Sequence, residues 1–279
     1  MLDIFIDTVV DSLKLLPFLF LAFFLIEFIE HKCLDKSKKI IENSGKFGPL
    51  FGGLLGAIPQ CGFSVLATNL YITRILSLGS LIAIYLSTSD EMLPIFITNK
   101  VPFNQIFLIV LIKVVVGILF GFIIDFIFRK KKKFDNHICD DCDCEESLLK
   151  SSLIHTFKTV SFIFIITLIL NILFENLDIS VIEKIFMKNS LLNPFLVALI
   201  GLIPSCGSSV MISELYINNV ISFGSLISGL LVNSGVALLV LFRNNKHFKE
   251  NLFILLLLYF ISVLVGVTFM SLGVSLWVS

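Results

Sequence analysis

The sequence has 279 residues, 57% of them hydrophobic and 15% charged, with 29 phenylalanines and a mean hydropathy of +1.00. These values are typical of an integral membrane protein, and they exclude a soluble domain and a small secreted domain held together by disulfides. Lysine plus arginine and aspartate plus glutamate each total 21, so the net charge gives no indication of a nucleic-acid partner.

The predicted elements are membrane helices from the beginning of the chain. The amino terminus, MLDIFIDTVVD, is acidic where a secretory signal peptide is basic, so we expect the first helix to be retained. An all-α polytopic membrane protein is predicted, because four apolar runs approach or reach the roughly 20 residues that span a bilayer. These runs are residues 15–26, 105–128, 160–174 and 252–277. The sequence has no phosphate-loop motif, so active transport would depend on a gradient or a partner.

The chain contains an internal repeat. Residues 49–97 align without a gap with residues 194–242, 145 positions later, and 20 of the 49 aligned residues are identical. Such self-similarity indicates a duplicated structural unit. We therefore predict a first membrane repeat at residues 1–128, a cytoplasmic linker rich in basic, cysteine and aspartate residues at 129–150, and a second membrane repeat at 151–279.

Basic residues near short loops mark the cytoplasmic side of a membrane protein. They cluster at residues 31–46, 129–133 and 243–249. Three apolar units separate the first two of these loops, so one unit must fail to cross. The candidate is the unit broken at Pro59 and Gly62, because its two pieces of about 11 to 12 residues span only about 16 to 18 Å as helices.

We therefore predict that residues 49–73 form a re-entrant hairpin and that residues 194–218 form a second one, entering from the opposite side. Each repeat then has three crossings, an odd number, which inverts the second repeat relative to the first. This topology gives about ten apolar segments and places both termini outside the cell. The alternative is a pair of ordinary membrane helices with kinks.

Each predicted hairpin tip carries a Pro-x-Cys-Gly break, in which proline ends one half-helix and glycine permits the reversal. Cys61 and Cys206 would meet near the midplane, where thiolates favour soft ions such as copper(I), zinc or trivalent arsenic. Alternatively, both cysteines are small buried hydrophobic residues. Ser64 and Ser209 are predicted to cap the outgoing half-helices. The candidate substrate-binding residues at the tips are Pro59, Gln60, Cys61, Gly62, Ser64, Pro204, Ser205, Cys206, Gly207 and Ser209.

The segment STSDEMLP places Asp90 and Glu91 past the middle of a predicted helix. Acidic groups inside a bilayer are costly and usually functional, so both are candidates for binding a cation or coupling to protons. The alternative is that the helix ends near Asp90 and leaves both carboxylates in water. Lys113, on a later helix, could pair with a buried acid.

A second candidate metal site lies in the linker, which reads FDNHICDDCDCEES. Three thiols, an imidazole and several carboxylates within ten residues are suited to zinc or a softer metal. The alternative is a flexible acidic linker. The candidate ligands are His137, Cys139, Cys142 and Cys144.

With the duplicated IPQCG and IPSCG motifs, the TSDEMLP segment, the LPFLFLAFFLIEFIEH helix and the Cys/His loop, the chain resembles the ten-helix (10TM) heavy-metal exporter family. That family is related to arsenic-efflux permeases and is often labelled a manganese transporter. The resemblance covers nearly the whole chain. It implies a multi-pass exporter of a toxic metal or metalloid in the cell membrane, not an enzyme, with Cys61, Cys206, Asp90 and Glu91 as functional residues.

Several interpretations of the cargo and the chemistry stay open. Manganese prefers the oxygens of Asp90 and Glu91, whereas arsenite or an organoarsenical prefers the thiols of Cys61 and Cys206. A membrane thiol–disulfide electron carrier would cycle the same two cysteines between dithiol and disulfide. A transporter of reduced sulfur species would use the half-helix amino termini as anion sites. No cofactor is required, although the linker could bind a metal ion. The lipid bilayer is the main partner, and a homo-oligomer is compatible with each interpretation.

Overall fold

A computed structural model describes residues 47–58, 61–89, 92–128 and 192–274, with scattered residues between 9 and 24 and between 153 and 169. The described residues form helices and turns and no strands. In chain order the helices are α1 (Gly48–Gly56), α2 (Cys61–Ile72), α3 (Leu78–Ser87), α4 (Met92–Thr98), α5 (Phe103–Ile127), α6 (Asn193–Gly201), α7 (Cys206–Ile217), α8 (Phe223–Val232), α9 (Ala237–Asn244) and α10 (Phe248–Ser271).

The predicted all-α polytopic membrane fold is confirmed. Four helical stretches among the described residues are long and apolar enough to cross a membrane: Leu78–Thr98, Phe103–Ile127, Phe223–Asn244 and Phe248–Ser271. The outer faces of α5 and α10 expose large apolar side chains such as Phe107 and Phe260, as expected for helices in contact with lipid. The predicted spans at residues 15–26 and 160–174 are described only in part, and their described residues are helical.

The two halves of the described fold repeat the same series of helices. The five helices have 9, 12, 10, 7 and 25 residues in the first half and 9, 12, 10, 8 and 24 in the second. Glycines join equivalent helix pairs: a Cβ at Gly79 would lie 2.1 Å from the Gly121 carbonyl oxygen, and a Cβ at Gly224 would lie 2.5 Å from that of Gly266. Helices can approach this closely only where small residues meet. α3 with α5, and α8 with α10, therefore pack antiparallel through the same contact.

α1 and α2 are too short to cross a membrane on their own. Their 9 and 12 residues correspond to about 14 and 18 Å of helix, against about 30 Å of hydrocarbon. A Cβ at Gly48 would contact Ser80, and one at Gly56 would contact Ser87, so α1 and α3 run in the same direction. α2 leads within a few residues into α3, at a turn where Arg74 adopts a left-handed backbone with φ of 64°. α1 therefore begins, and α2 ends, near the beginning of α3.

The repeats contact each other crosswise. α2 of the first half packs on α9 of the second, and α7 of the second packs on α4 of the first. The Asn244 side chain donates to Asn69 Oδ1 at 3.1 Å in one pair, and the rings of Phe96 and Tyr216 lie 6.3 Å apart in the other. All ten residues of α8 are buried, as are nine of the ten in α3. The core of the described fold is therefore built around α3 and α8.

Candidate functional site

Each repeat contains a second helix break. In the first repeat, a helix end near Asp90 was the alternative interpretation, and in the second repeat the break was not predicted. α3 ends at Ser87 and α4 begins at Met92; at the equivalent positions α8 ends at Val232 and α9 begins at Ala237. Gly235 lies in the second break with φ of 56°, a left-handed backbone that glycine adopts without strain. The prediction of one helix carrying Asp90 and Glu91 past its middle is therefore wrong, because α3 stops before them.

The first break lies inside the protein. Thr88 is 4% exposed and Ser89 is 1% exposed. Their hydroxyls donate to carbonyl oxygens of the preceding turn, Thr88 to Ile84 at 2.7 Å and Ser89 to Ser87 at 3.1 Å. The helix therefore ends near Asp90, as the alternative interpretation expected, and its end at Thr88 and Ser89 is buried. Asp90 and Glu91 themselves lie outside the described residues.

A small cavity lies where the two breaks meet. Its volume of about 10 Å³ is close to the minimum that holds one water molecule. Both repeats contribute to its lining, and most of the lining side chains carry a hydroxyl, an amide or an amine. The lining residues are Thr88, Ser89, Met92, Lys113, Ser209, Leu230, Asn233 and Gly235.

The charged residue at this cavity is Lys113, halfway along α5. Lys113 is 1% exposed, and its Nζ donates to the carbonyl oxygen of Thr88, the residue at the carboxyl end of α3. The carboxyl end of a helix carries partial negative charge, so an ammonium group is favoured there. A buried ammonium in a membrane is costly and is a functional hypothesis by default. The repeat mate of Lys113 is Leu258, so this charge belongs to one repeat only.

The second break is bonded to the first turn of α7. Asn233 Nδ2 donates to Ser208 Oγ at 2.9 Å, and Asn233 Oδ1 accepts from the Gly235 N–H at 2.8 Å. The Ser208 hydroxyl in turn bonds to the Ser205 carbonyl oxygen at 2.7 Å. This chain of hydrogen bonds holds the end of α8 against the start of α7, so a shift of one is transmitted to the other.

The predicted capping residues are wrong. Ser205 is the N-cap of α7, and its Oγ accepts from the Gly207 N–H at 3.2 Å. Ser209 lies inside the first turn of α7 and lines the cavity, while Ser64 lies inside the first turn of α2 and is buried. A cap residue must precede the helix, and both helices begin three residues before these serines.

The structure brings only some of the predicted site residues together. Gly62 and Gly207 lie in the first turns of α2 and α7, and Pro204 lies in the turn before α7. α2 and α7 begin at Cys61 and Cys206, whose side chains are outside the described part. Within the described ranges, no three His, Cys, Asp or Glu side chains form a cluster that could hold a metal ion. The predicted residues outside the described ranges are Pro59, Gln60, Asp90, Glu91, His137, Cys139, Cys142 and Cys144.

Four cavity residues with polar side chains were not predicted as binding residues: Thr88, Ser89, Lys113 and Asn233. Two signals could have identified them. Lys113 interrupts a 25-residue apolar helix, which makes it an intramembrane charge. Thr88 and Asn233 occupy equivalent positions in the aligned repeats, and Gly235 follows Asn233 by two residues. Polar residues close to a glycine inside an apolar segment favour a helix break.

Comparisons with known proteins give one result. A family model described as "Putative, 10TM heavy-metal exporter" matches residues 1–180 and 144–275, two overlapping segments that together cover nearly the whole chain. No curated protein and no solved structure gives a significant match.

Proposed function

Because the chain belongs to the 10TM heavy-metal exporter family, we propose that it is a secondary-active transporter that exports a metal or metalloid by alternating access around the meeting point of its broken helices. The observation that carries this proposal is the small polar cavity between the breaks of α3 and α8, lined by both repeats. Non-helical backbone at membrane depth is tolerated where it is buried in protein or lines such a cavity. Transporter substrate sites commonly lie at repeat interfaces of this kind.

Inverted repeats with re-entrant hairpins are part of the proposal, and the packing supports them. α1 begins and α2 ends beside the start of α3, as the two arms of a hairpin would. Arg74, at the start of α3, pairs with Glu250 at the start of α10, whereas Gly224, at the start of α8, lies against Met270 at the end of α10. The 24 residues of α10 correspond to about 36 Å. α3 and α8 would therefore begin at opposite faces of the membrane.

The proposed cargo is thiophilic, an arsenic species rather than manganese. Cys61 and Cys206 are repeat mates at the first residues of α2 and α7. Helix amino termini favour the thiolate form, and thiolates bind soft ions. Ser209, which lines the cavity, is one turn beyond Cys206, so cargo released from the thiol would reach the cavity directly. The driving force would be the proton gradient or the membrane potential.

Efflux from proteoliposomes tests the proposal. Purified protein would be reconstituted and offered arsenite, manganese and zinc in separate assays, with Cys61→Ser and Cys206→Ser as test variants. Cys33→Ser, which changes a cysteine outside both hairpins, is the matched control. We expect arsenite efflux that both hairpin variants lose and the control keeps. Efflux of manganese alone, or equal arsenite efflux in all variants, would contradict thiol ligation, and no transport of any metal would contradict the proposed function.

A further inference from the structure

An ion pair joins the two repeats at one end of the bundle. Arg74, in the turn between α2 and α3, donates from Nη1 and Nη2 to the two carboxylate oxygens of Glu250 at 2.7 and 2.9 Å. Tyr71 donates its hydroxyl to the same carboxylate. The two charged side chains are only 11% and 18% exposed. Bidentate, charge-assisted bonds of this kind are among the stronger ones in proteins, particularly when they are partly shielded from water.

The other end of the bundle has no such pair at the equivalent positions. The repeat mates of Arg74 and Glu250 are Asn219 and Gln105, both neutral, while Tyr71 corresponds to Tyr216. The backbone is duplicated, since Asn219 has φ of 60° where Arg74 has 64°. The two equivalent turns therefore share a backbone conformation, but only the turn at Arg74 carries the charge.

The ion-paired end is the one with the basic loops. The rings of Phe128 and Phe253 lie 5.4 Å apart, so α5 ends where α10 begins. The basic run at residues 129–133 directly follows α5, and Arg243, Lys246 and Lys249 flank the start of α10. By the distribution of positive charge, this end is expected to face the cytoplasm.

The ion pair also lies on the route from that face to the cavity. α9 starts two residues after Gly235, which lines the cavity, and ends at Asn244, which is bonded to Asn69 of α2. Glu250 lies just beyond, on α10. Among the described helices, an opening between α2 and α9 at this end would move α2 and its following turn away from α9 and α10. The Arg74–Glu250 contact resists that movement.

We infer that the Arg74–Glu250 pair is a latch that closes the cytoplasmic end of the cavity and that must break each time the transporter loads its cargo. This inference rests on the proposed alternating-access function. At the equivalent positions of the opposite end, Asn219 and Gln105 are neutral and provide no ion pair to separate. The latch therefore biases the unloaded protein toward the conformation closed to the cytoplasm. Cargo binding must supply the free energy needed to reach the open conformation.

Labelling from the cytoplasmic face tests the latch without any transport. Glu250→Gln and Arg74→Asn each install the residue of the other repeat, and asparagine tolerates the left-handed backbone at position 74. A Ser234→Cys reporter between Asn233 and Gly235 would be alkylated by a membrane-impermeant maleimide in inside-out vesicles and quantified by peptide mass spectrometry. We expect labelling to rise about tenfold, which corresponds to about 1.4 kcal/mol. The Arg74→Glu/Glu250→Arg double variant should return it toward the original rate.

Unchanged labelling in both single variants would overturn the latch. If either substitution prevents folding, a cysteine pair at Asn69 and Asn244 tests the same closure in an otherwise unchanged protein. Oxidation should slow labelling of the reporter and reduction should restore it, whereas equal labelling in both states would also overturn the latch. Because labelling needs no cargo, absence of metal transport would count against the proposed function alone.

Discussion

Replacing Gly79 with alanine should separate α3 from α5. The new Cβ would lie 2.1 Å from the Gly121 carbonyl oxygen and 2.6 Å from Asp125 Oδ1. Real Cβ contacts are not shorter than 3.0 Å, so the helices must move apart by about 1 Å. Asp125 accepts from the Gly79 N–H at 2.8 Å and from the Ser77 hydroxyl at 2.6 Å. A shift of that size takes both bonds beyond hydrogen-bonding distance.

The expected cost is about 2–4 kcal/mol of unfolding free energy, from overpacking and from two weakened bonds to a carboxylate. It would be measured by titrating the detergent-solubilised protein with SDS and following helicity by circular dichroism. Gly224→Ala, at the repeat mate, should cost less, because its Cβ would lie 2.5 Å from the Gly266 carbonyl oxygen and Met270 stands in place of Asp125. Ser271→Ala, on the exposed end of α10, is the control and should stay within about 0.5 kcal/mol. A Gly79→Ala protein as stable as that control would refute the close approach of α3 and α5.

Three further predictions concern the site and the linker. Lys113→Leu, which installs the residue of the repeat mate, should lower efflux from proteoliposomes about tenfold or more, because it loses a charge-assisted bond to Thr88 worth about 1.5–3 kcal/mol. The control Leu258→Met should leave the efflux rate unchanged. Equal efflux by the Lys113→Leu variant and the unaltered protein would show that Lys113 is not part of the transport site. Gly235→Ala should lower the unfolding free energy by about 1–2 kcal/mol in the SDS titration because the backbone at this position is left-handed, and Gly235→Asn should lower it less. Equal stability of both variants and the unaltered protein would mean that the break does not need this conformation. The triple variant Cys139→Ser/Cys142→Ser/Cys144→Ser should abolish zinc binding by the purified protein in a calorimetric titration, and undiminished binding would leave the linker as an acidic spacer.

The repeat alignment allowed much of the helix pattern to be predicted. The gapless match of the two halves implied equal elements at a spacing of 145 residues, and the observed helices follow it closely. The short pieces around the Pro-x-Cys-Gly motifs were expected because proline and glycine have strong local effects on the backbone. These effects act within a few residues, so they can be recognised without tertiary information.

The breaks after Ser87 and Val232 could not be found in the same way. No proline lies within them, and although residues 88–91 and 233–235 are polar, their sequence does not show whether they are buried, because buried polar residues are satisfied by neighbours distant in sequence. Asn233, for example, depends on Ser208, 25 positions earlier. Lys113 was identified as a charge inside the membrane that could pair with a buried acid, and among the described residues its Nζ donates to the Thr88 carbonyl oxygen at the end of α3. Long-range packing of this kind is not encoded in local propensity.

The crosswise contacts of α2 with α9 and of α7 with α4 also constrain how this architecture could have arisen. A chain of half the length would leave its short helix pair without the element that packs against it. Two copies could provide this missing contact only by associating, so that the α4-type helix of each copy packs against the hairpin of the other. Fusion of the two genes would then have joined an obligatory homodimer into one polypeptide. Each repeat could afterwards diverge from the other, as the two repeats do at Lys113 and at Arg74.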